Sequence, residues 1–158
     1  MKEIVSFFLS GKKYAVEVSH MQGIEKPRQM DQPPNMPGFL EGVVDIRGEV
    51  IPVLAIRKKL TLPAAETTEK TKFLVFRTQQ GKMACIVDGI SRILKIDDKN
   101  VQAFPSIIQN AGTGYADFVA RYEGELILVI NPDNLLDEEN WKTVHKMLDR
   151  MEDEEEND

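Results

Sequence analysis

The side chains best able to do chemistry are few and far apart. The chain has two histidines, His20 and His145, and one cysteine, Cys85. A zinc site needs several nitrogen or sulfur ligands at short, regular spacing, and no CxxC or HExxH pattern is present. A carboxylate-only cation site can be imagined at Asp97-Asp98, but the pair lacks the spacing of a calcium loop and fits a turn at a strand end. Cys85 stands within the apolar run MACIVD. A nucleophilic thiolate needs an exposed, electropositive setting, so a buried structural thiol is expected. Phosphate chemistry needs a glycine-rich loop opening a helix, and Gly112-x-Gly114 is an isolated pair that reads as a turn. No GxSxG elbow surrounds any serine. Paired carboxylates leave little sequence trace, but nothing here forms a catalytic constellation. Weight therefore moves to a binding or scaffolding role, where function resides in apolar surface and strand edges.

The elements that would carry such a surface are mostly strands. Residues 4–9 and 13–18 are β-rich, and Ser10-Gly11-Lys12 between them reads as a hairpin turn. Residues 19–25 suggest a helical turn followed by a strand near Ile24. Pro27, Pro33, Pro34 and Pro37 make 27–38 an exposed loop, long enough to suggest function. Residues 39–60 read as strand, tight turn at Arg47-Gly48, strand, then a helical turn from Arg57 to Leu60. The polar stretch 61–71 is the expected seam between subdomains. Strand-like runs follow at 72–77, 82–87, 90–96, 115–122 and 125–131, with turns at Gln79–Gly81 and Glu123-Gly124 and a glycine-containing loop at 108–114. Many short, closely spaced strands suggest small barrels rather than a parallel sheet. Pro132 can open a helix. From Glu138, the residues Trp141, Val144, Leu148 and Met151 share one helical face. That face fits a helix docked on its own domain, and it also fits a partner-binding helix.

Composition narrows the class. The 158 residues are 42% hydrophobic and 29% charged, which suits a globular domain burying roughly 70% of its unfolded surface. No apolar run approaches the ~20 residues of a membrane-spanning helix. The N-terminus runs straight into a strand, so no signal peptide is expected, and a lone cysteine fits a reducing compartment. The net charge of −6 comes from residues 152–158, which carry six acidic groups. Without them, 20 acidic residues balance 20 basic ones. A balanced body with an acidic end disfavours nucleic-acid binding, and 152–158 is expected as a solvated, disordered tail.

The segment Gly42-Val43-Val44-Asp45-Ile46-Arg47-Gly48-Glu49-Val50-Ile51-Pro52-Val53 resembles the signature of CheW-like coupling proteins of bacterial chemotaxis, G-x-x-N-L-R-G-x-x-x-P. Further segments extend the likeness to about Asp137: Phe7 and Leu9 with Tyr14-Ala15-Val16, Pro37 to Leu40, Ile86-Val87-Asp88-Gly89-Ile90, and Tyr115 to Leu136. The resemblance implies a mainly β fold of two intertwined five-stranded SH3-like barrels, with short helices and a C-terminal helix. It implies one domain over 1–151, without catalysis or cofactor. Such a protein is a cytoplasmic adaptor recruited to membrane-associated receptor arrays, with no direct membrane insertion. It bridges the hairpin tip of chemoreceptors and the regulatory domain of a CheA-type histidine autokinase.

Receptor contact would involve Arg47 with Met21, Ile24, Val44, Val50 and Val87. Kinase contact would involve Met36, Phe39 and Leu40. Gly42, Gly48 and Asp45 would shape the signature turn. Asp45 stands where the family has Asn, and the turn at Gly23 lacks the Glu that partners the family's Arg. Asp45 and Glu25 are the candidates to replace it, and Asp45→Asn is expected to loosen Arg47. The proline-rich loop and acidic tail suggest an adaptor for a non-flagellar chemosensory pathway as the alternative. A small β-barrel enzyme or nucleic-acid binder is the reading from another class. A freestanding adaptor is expected, in place of a kinase-derived or receiver-fused relative.

Overall fold

A computed structural model describes residues 1–103 and 114–156. Eleven strands are present among them: β1 (Lys2–Leu9), β2 (Lys12–Glu17), β3 (Met21–Glu25), β4 (Leu40–Ile46), β5 (Glu49–Leu54), β6 (Lys72–Arg77), β7 (Lys82–Val87), β8 (Gly89–Ile96), β9 (Val101–Ala103), β10 (Ala116–Tyr122) and β11 (Glu125–Ile130). Two α-helices accompany them, α1 (Ile56–Lys59) and α2 (Glu138–Glu156). The expected loop at 108–114 lies, except for Gly114, outside the described residues.

The strands form two sheets, ordered β8-β1-β2-β11-β10-β9 and β3-β6-β7-β5-β4. Each has one parallel joint, β2 with β11 and β5 with β7. The chain begins in the first sheet, builds all of the second, and returns to the first at β8. Residues 61–71 therefore connect two strands of one sheet and are not the seam expected there. The sheets instead change over at the 3₁₀ turn Val18–His20 and at Asp88.

Alternation along the strands explains why they read as nearly continuous apolar runs. Val44, Ile46, Ile51, Val53, Phe73, Val75 and Ala84 fill the interior of the second sheet. Ile4, Ala15, Leu94, Phe118, Ile127 and Val129 fill that of the first. The intervening residues, among them Phe7, Tyr14, Leu54, Leu74, Phe76 and Val87, face a third cluster shared by both sheets. A strand buried on both faces shows no polar alternation.

Helix α2 seals this shared core with Trp141, Val144 and Met147, while Leu148 and Met151 pack at its margin. Its face is docked on its own domain. The Asp137 carboxylate accepts from the Asn140 amide at 2.7 Å, capping the helix start. Pro132 opens only a 3₁₀ turn, Pro132–Asn134. The helix also continues to Glu156, so most of the tail expected at 152–158 extends it. Glutamate is a good helix former, and extending a docked helix avoids the nucleation cost.

Candidate protein-binding site

The β4–β5 hairpin carries the most exposed element of the signature. Ile46 pairs with Glu49, leaving Arg47-Gly48 as a two-residue loop. Both have positive φ, +53° and +83°, as a type I′ turn demands. For a non-glycine residue that conformation costs on the order of 1 kcal/mol. The Asp45 carboxylate offsets it by accepting the Gly48 amide proton at 2.9 Å. The turn thus fixes the backbone while the Arg47 side chain stays 78% exposed.

Arg47 is nevertheless anchored. Its Nη1 lies 2.9 Å from Oε1 of Glu25, whose side chain is only 11% exposed. The other Glu25 oxygen, Oε2, meets Arg28 Nη2 at 3.3 Å. One carboxylate therefore holds two guanidinium groups. Glu25 ends β3, at one edge of the second sheet, and Arg47 follows β4, at the other edge. Between them is a depression lined by Gln22, Gly23, Ile46 and Ile51, rimmed by a second ion pair, Lys82 to Glu49 at 2.6 Å. Glu25, not Asp45, is the partner of Arg47. Asp45 spends its acceptor on the turn amide, a bond Asn can also make, so the expectation that Asp45→Asn loosens Arg47 is corrected.

A second polar cluster sits where the chain crosses between sheets. Arg57 on α1 pairs with Asp88 and donates to Ser10 Oγ at 2.9 Å and to the Pro63 carbonyl at 3.2 Å. The Ser10 amide donates to the other Asp88 oxygen at 2.8 Å. Burial pushes the Asp88 carboxyl up, but the bonds from Arg57 and Ser10 outweigh it and hold the group below the usual aspartate range. Sequence reasoning missed Arg57 and Arg28. The available signal was Asp88 itself, a charge ending the apolar run Met83–Val87 and so in need of a partner.

Cys85 is fully buried, and burial pushes its thiol well up, which removes the thiolate at neutral pH. Among the described residues, no three His, Cys, Asp or Glu side chains group as metal ligands. Nor is any described helix long and apolar enough to cross a membrane.

The family model for the CheW-like domain matches residues 3–140. The chain belongs to the CheW-like family. It is 26% identical over 139 residues to chemotaxis protein CheW of Bacillus subtilis, covering 88% of this chain and 89% of that protein. It is 25% identical over 138 residues to chemotaxis protein CheW of Rhizobium meliloti, covering 87% and 89%. The crystal structure of scaffolding protein TtCheW from Thermoanaerobacter tengcongensis superposes with a TM-score of 0.77 at 22% identity, covering 86% of this chain and 88% of that one. The fold is that of the CheW scaffold, mainly β with SH3-like barrels.

Against this CheW-like frame, the residues expected to bind partners separate by burial. Ile24 on β3 is 45% exposed. Met21 and Val50 are half-buried against the shared core. Val44 and Val87 are corrected: Val44 fills the second sheet's interior and Val87 is fully buried in the shared core, so neither offers surface to a receptor. Met36 and Phe39 are half-buried, whereas Leu40 is 3% exposed and belongs to the core. Gly48 is a turn residue, but Gly42 lies within β4 at a register shift. A Cβ at Gly42 would lie 2.8 Å from the Asp31 carbonyl oxygen, so glycine there permits close approach of another segment.

Proposed function

We propose that this chain is a non-catalytic adaptor joining the hairpin tip of chemoreceptors to the regulatory domain of a CheA-type histidine autokinase. Residues 1–151 act as one unit, recruited from the cytoplasm to receptor arrays. The continuous CheW-like match over residues 3–140 carries this reading. The geometry supports it in one respect above others. Arg47 is an exposed fork of donors on a rigid turn, held at one nitrogen and open to a partner at the others. Ile24, Met21 and Val50 supply the apolar surface of the receptor face. Met36 and Phe39 supply that of the kinase face.

The test is a pulldown of the purified protein from lysate of its source cell, comparing wild type with Arg47→Glu. Recovery of a histidine kinase and chemoreceptors by wild type, with receptors lost in the variant, is the expected result. Folded wild type recovering neither partner would refute the adaptor role. Unchanged recovery by Arg47→Glu would leave the role intact and remove Arg47 from the receptor face.

A further inference from the structure

Residues 26–38 do not project as a free loop. Residues 28–32 run antiparallel along β4, an outer strand of the second sheet, and meet its edge at Asp45, Val43 and Glu41. The Asp45 carbonyl accepts from Arg28 Nη1 at 3.4 Å. Val43 donates to the Asp31 carbonyl at 2.8 Å and accepts from its amide at 2.9 Å. The Glu41 carbonyl accepts from Gln32 Nε2 at 3.1 Å. Three successive outward carbonyls of β4 are thus occupied, one by backbone and two by side chains. Met30 packs against the interior cluster of the same sheet. The approach is close enough that an alanine Cβ at Gly42 would sit 2.8 Å from the Asp31 oxygen and 3.0 Å from the Met30 Cβ.

We infer that this segment is a built-in edge strap: it fills the β4 edge and keeps extended chains from other molecules off it. A bare strand edge invites pairing. The strap answers that without creating a new edge, because Pro27 precedes its first anchor, Pro33 and Pro34 follow its last, and prolines donate no amide proton. Charge disfavours a second copy as occupant. A second copy of β4 paired two-fold about Val43 would set Glu41 against Asp45 of that copy, a like-charge contact. The strap instead brings the Arg28 guanidinium to the Asp45 backbone carbonyl and the Gln32 amide to that of Glu41, while Arg28 keeps its ion pair with Glu25. The occupant that fits is an extended segment carrying a cationic donor that reaches both the Asp45 carbonyl and Glu25, and the strap is the chain's own copy of it. This inference is independent of the adaptor reading.

The experiment uses the full chain and a synthetic peptide of residues 26–34 as probe. In wild type, the Val43 amide should exchange with solvent about a hundredfold slower than an unstructured amide, and the peptide should not bind. The triple variant Arg28→Ala, Asp31→Pro, Gln32→Ala removes all three of the strap's donors to β4, so that no other bond holds the residue-31 carbonyl against the Val43 amide, and leaves the edge intact. It should lose Val43 protection, bind the peptide, and regain protection when bound. A peptide with Arg28→Glu should bind about tenfold more weakly. Gly42→Val should release the strap yet refuse the peptide, because its side chain blocks either occupant. Rapid Val43 exchange in wild type would overturn the inference by itself, whatever the variants' stability. So would a triple variant that keeps Val43 protection. Self-association of that variant in place of peptide binding would overturn the charge selection.

Discussion

The Arg57–Asp88 pair joins elements that nothing in the sequence connects, and replacing Asp88 with alanine tests how firmly. Arg57 is 12% and Asp88 32% exposed, so the pair is neither a screened surface contact nor a fully dry one. Asp88→Ala removes a charge-assisted bond worth about 1.5–3 kcal/mol. It also takes away the acceptor of the Ser10 amide, which water can replace because Ser10 is exposed. Arg57 keeps two neutral acceptors, Ser10 Oγ and the Pro63 carbonyl, and these limit the penalty of an unpaired guanidinium. The net loss should be about 2–3 kcal/mol, a fall in Tm of about 5–10 °C for a domain of this size. Urea unfolding followed through Trp141, the sole tryptophan, reads it directly, since that side chain is buried in the shared core. Pairing Asp88→Ala with Arg57→Met should give a coupling energy of about 1–2 kcal/mol. Acid supplies a second readout. The folded Asp88 pKa lies below its unfolded value, so this stabilisation is complete above about pH 5 and is lost as pH falls through the folded pKa, below about pH 4. Asp88→Asn should lack that part of the acid loss. A destabilisation under about 0.5 kcal/mol, the range of ordinary surface changes, together with zero coupling, would refute the clasp.

At the signature turn, Asp45→Asn should change stability by less than about 0.5 kcal/mol because the amide oxygen still accepts from Gly48, whereas Asp45→Ala should cost about 1 kcal/mol; urea midpoints separate the two. Val87→Ala should cost about 2 kcal/mol by opening a cavity in the shared core, while Ile24→Ala should leave stability nearly unchanged and weaken receptor capture. Equal effects of those last two on the unfolding midpoint would refute the division of these residues into core and surface.

Local chemistry made much of the chain legible. The glycines and charged turns marked the hairpins at Ser10-Gly11, Arg47-Gly48 and Glu123-Gly124, because few residues tolerate the positive φ found there. The three-residue strand Val101–Ala103 escaped notice, being too short to show a period. Of the site, Arg47 and its turn could be named from the signature, but its partner could be narrowed only to Asp45 or Glu25. Glu25 lies 22 residues away, and only the approach of the two sheet edges brings it to the guanidinium. Arg28 was hidden for the same reason, within a loop whose prolines argued against pairing.

The sequence by itself determined the strands, the turns, the balanced body with an acidic end, and membership of a family whose motifs run in order along it. Those features are set by neighbouring residues: side-chain period, backbone freedom and charge spacing. Only the tertiary structure decided which apolar face was which. Val44 and Val87 sit in apolar runs like that of Val50, yet Val44 fills one sheet's interior, Val87 the shared core, and Val50 stays half-exposed. A strand between two cores has no polar face to betray its orientation, so burial is fixed by what packs against it from elsewhere in the chain.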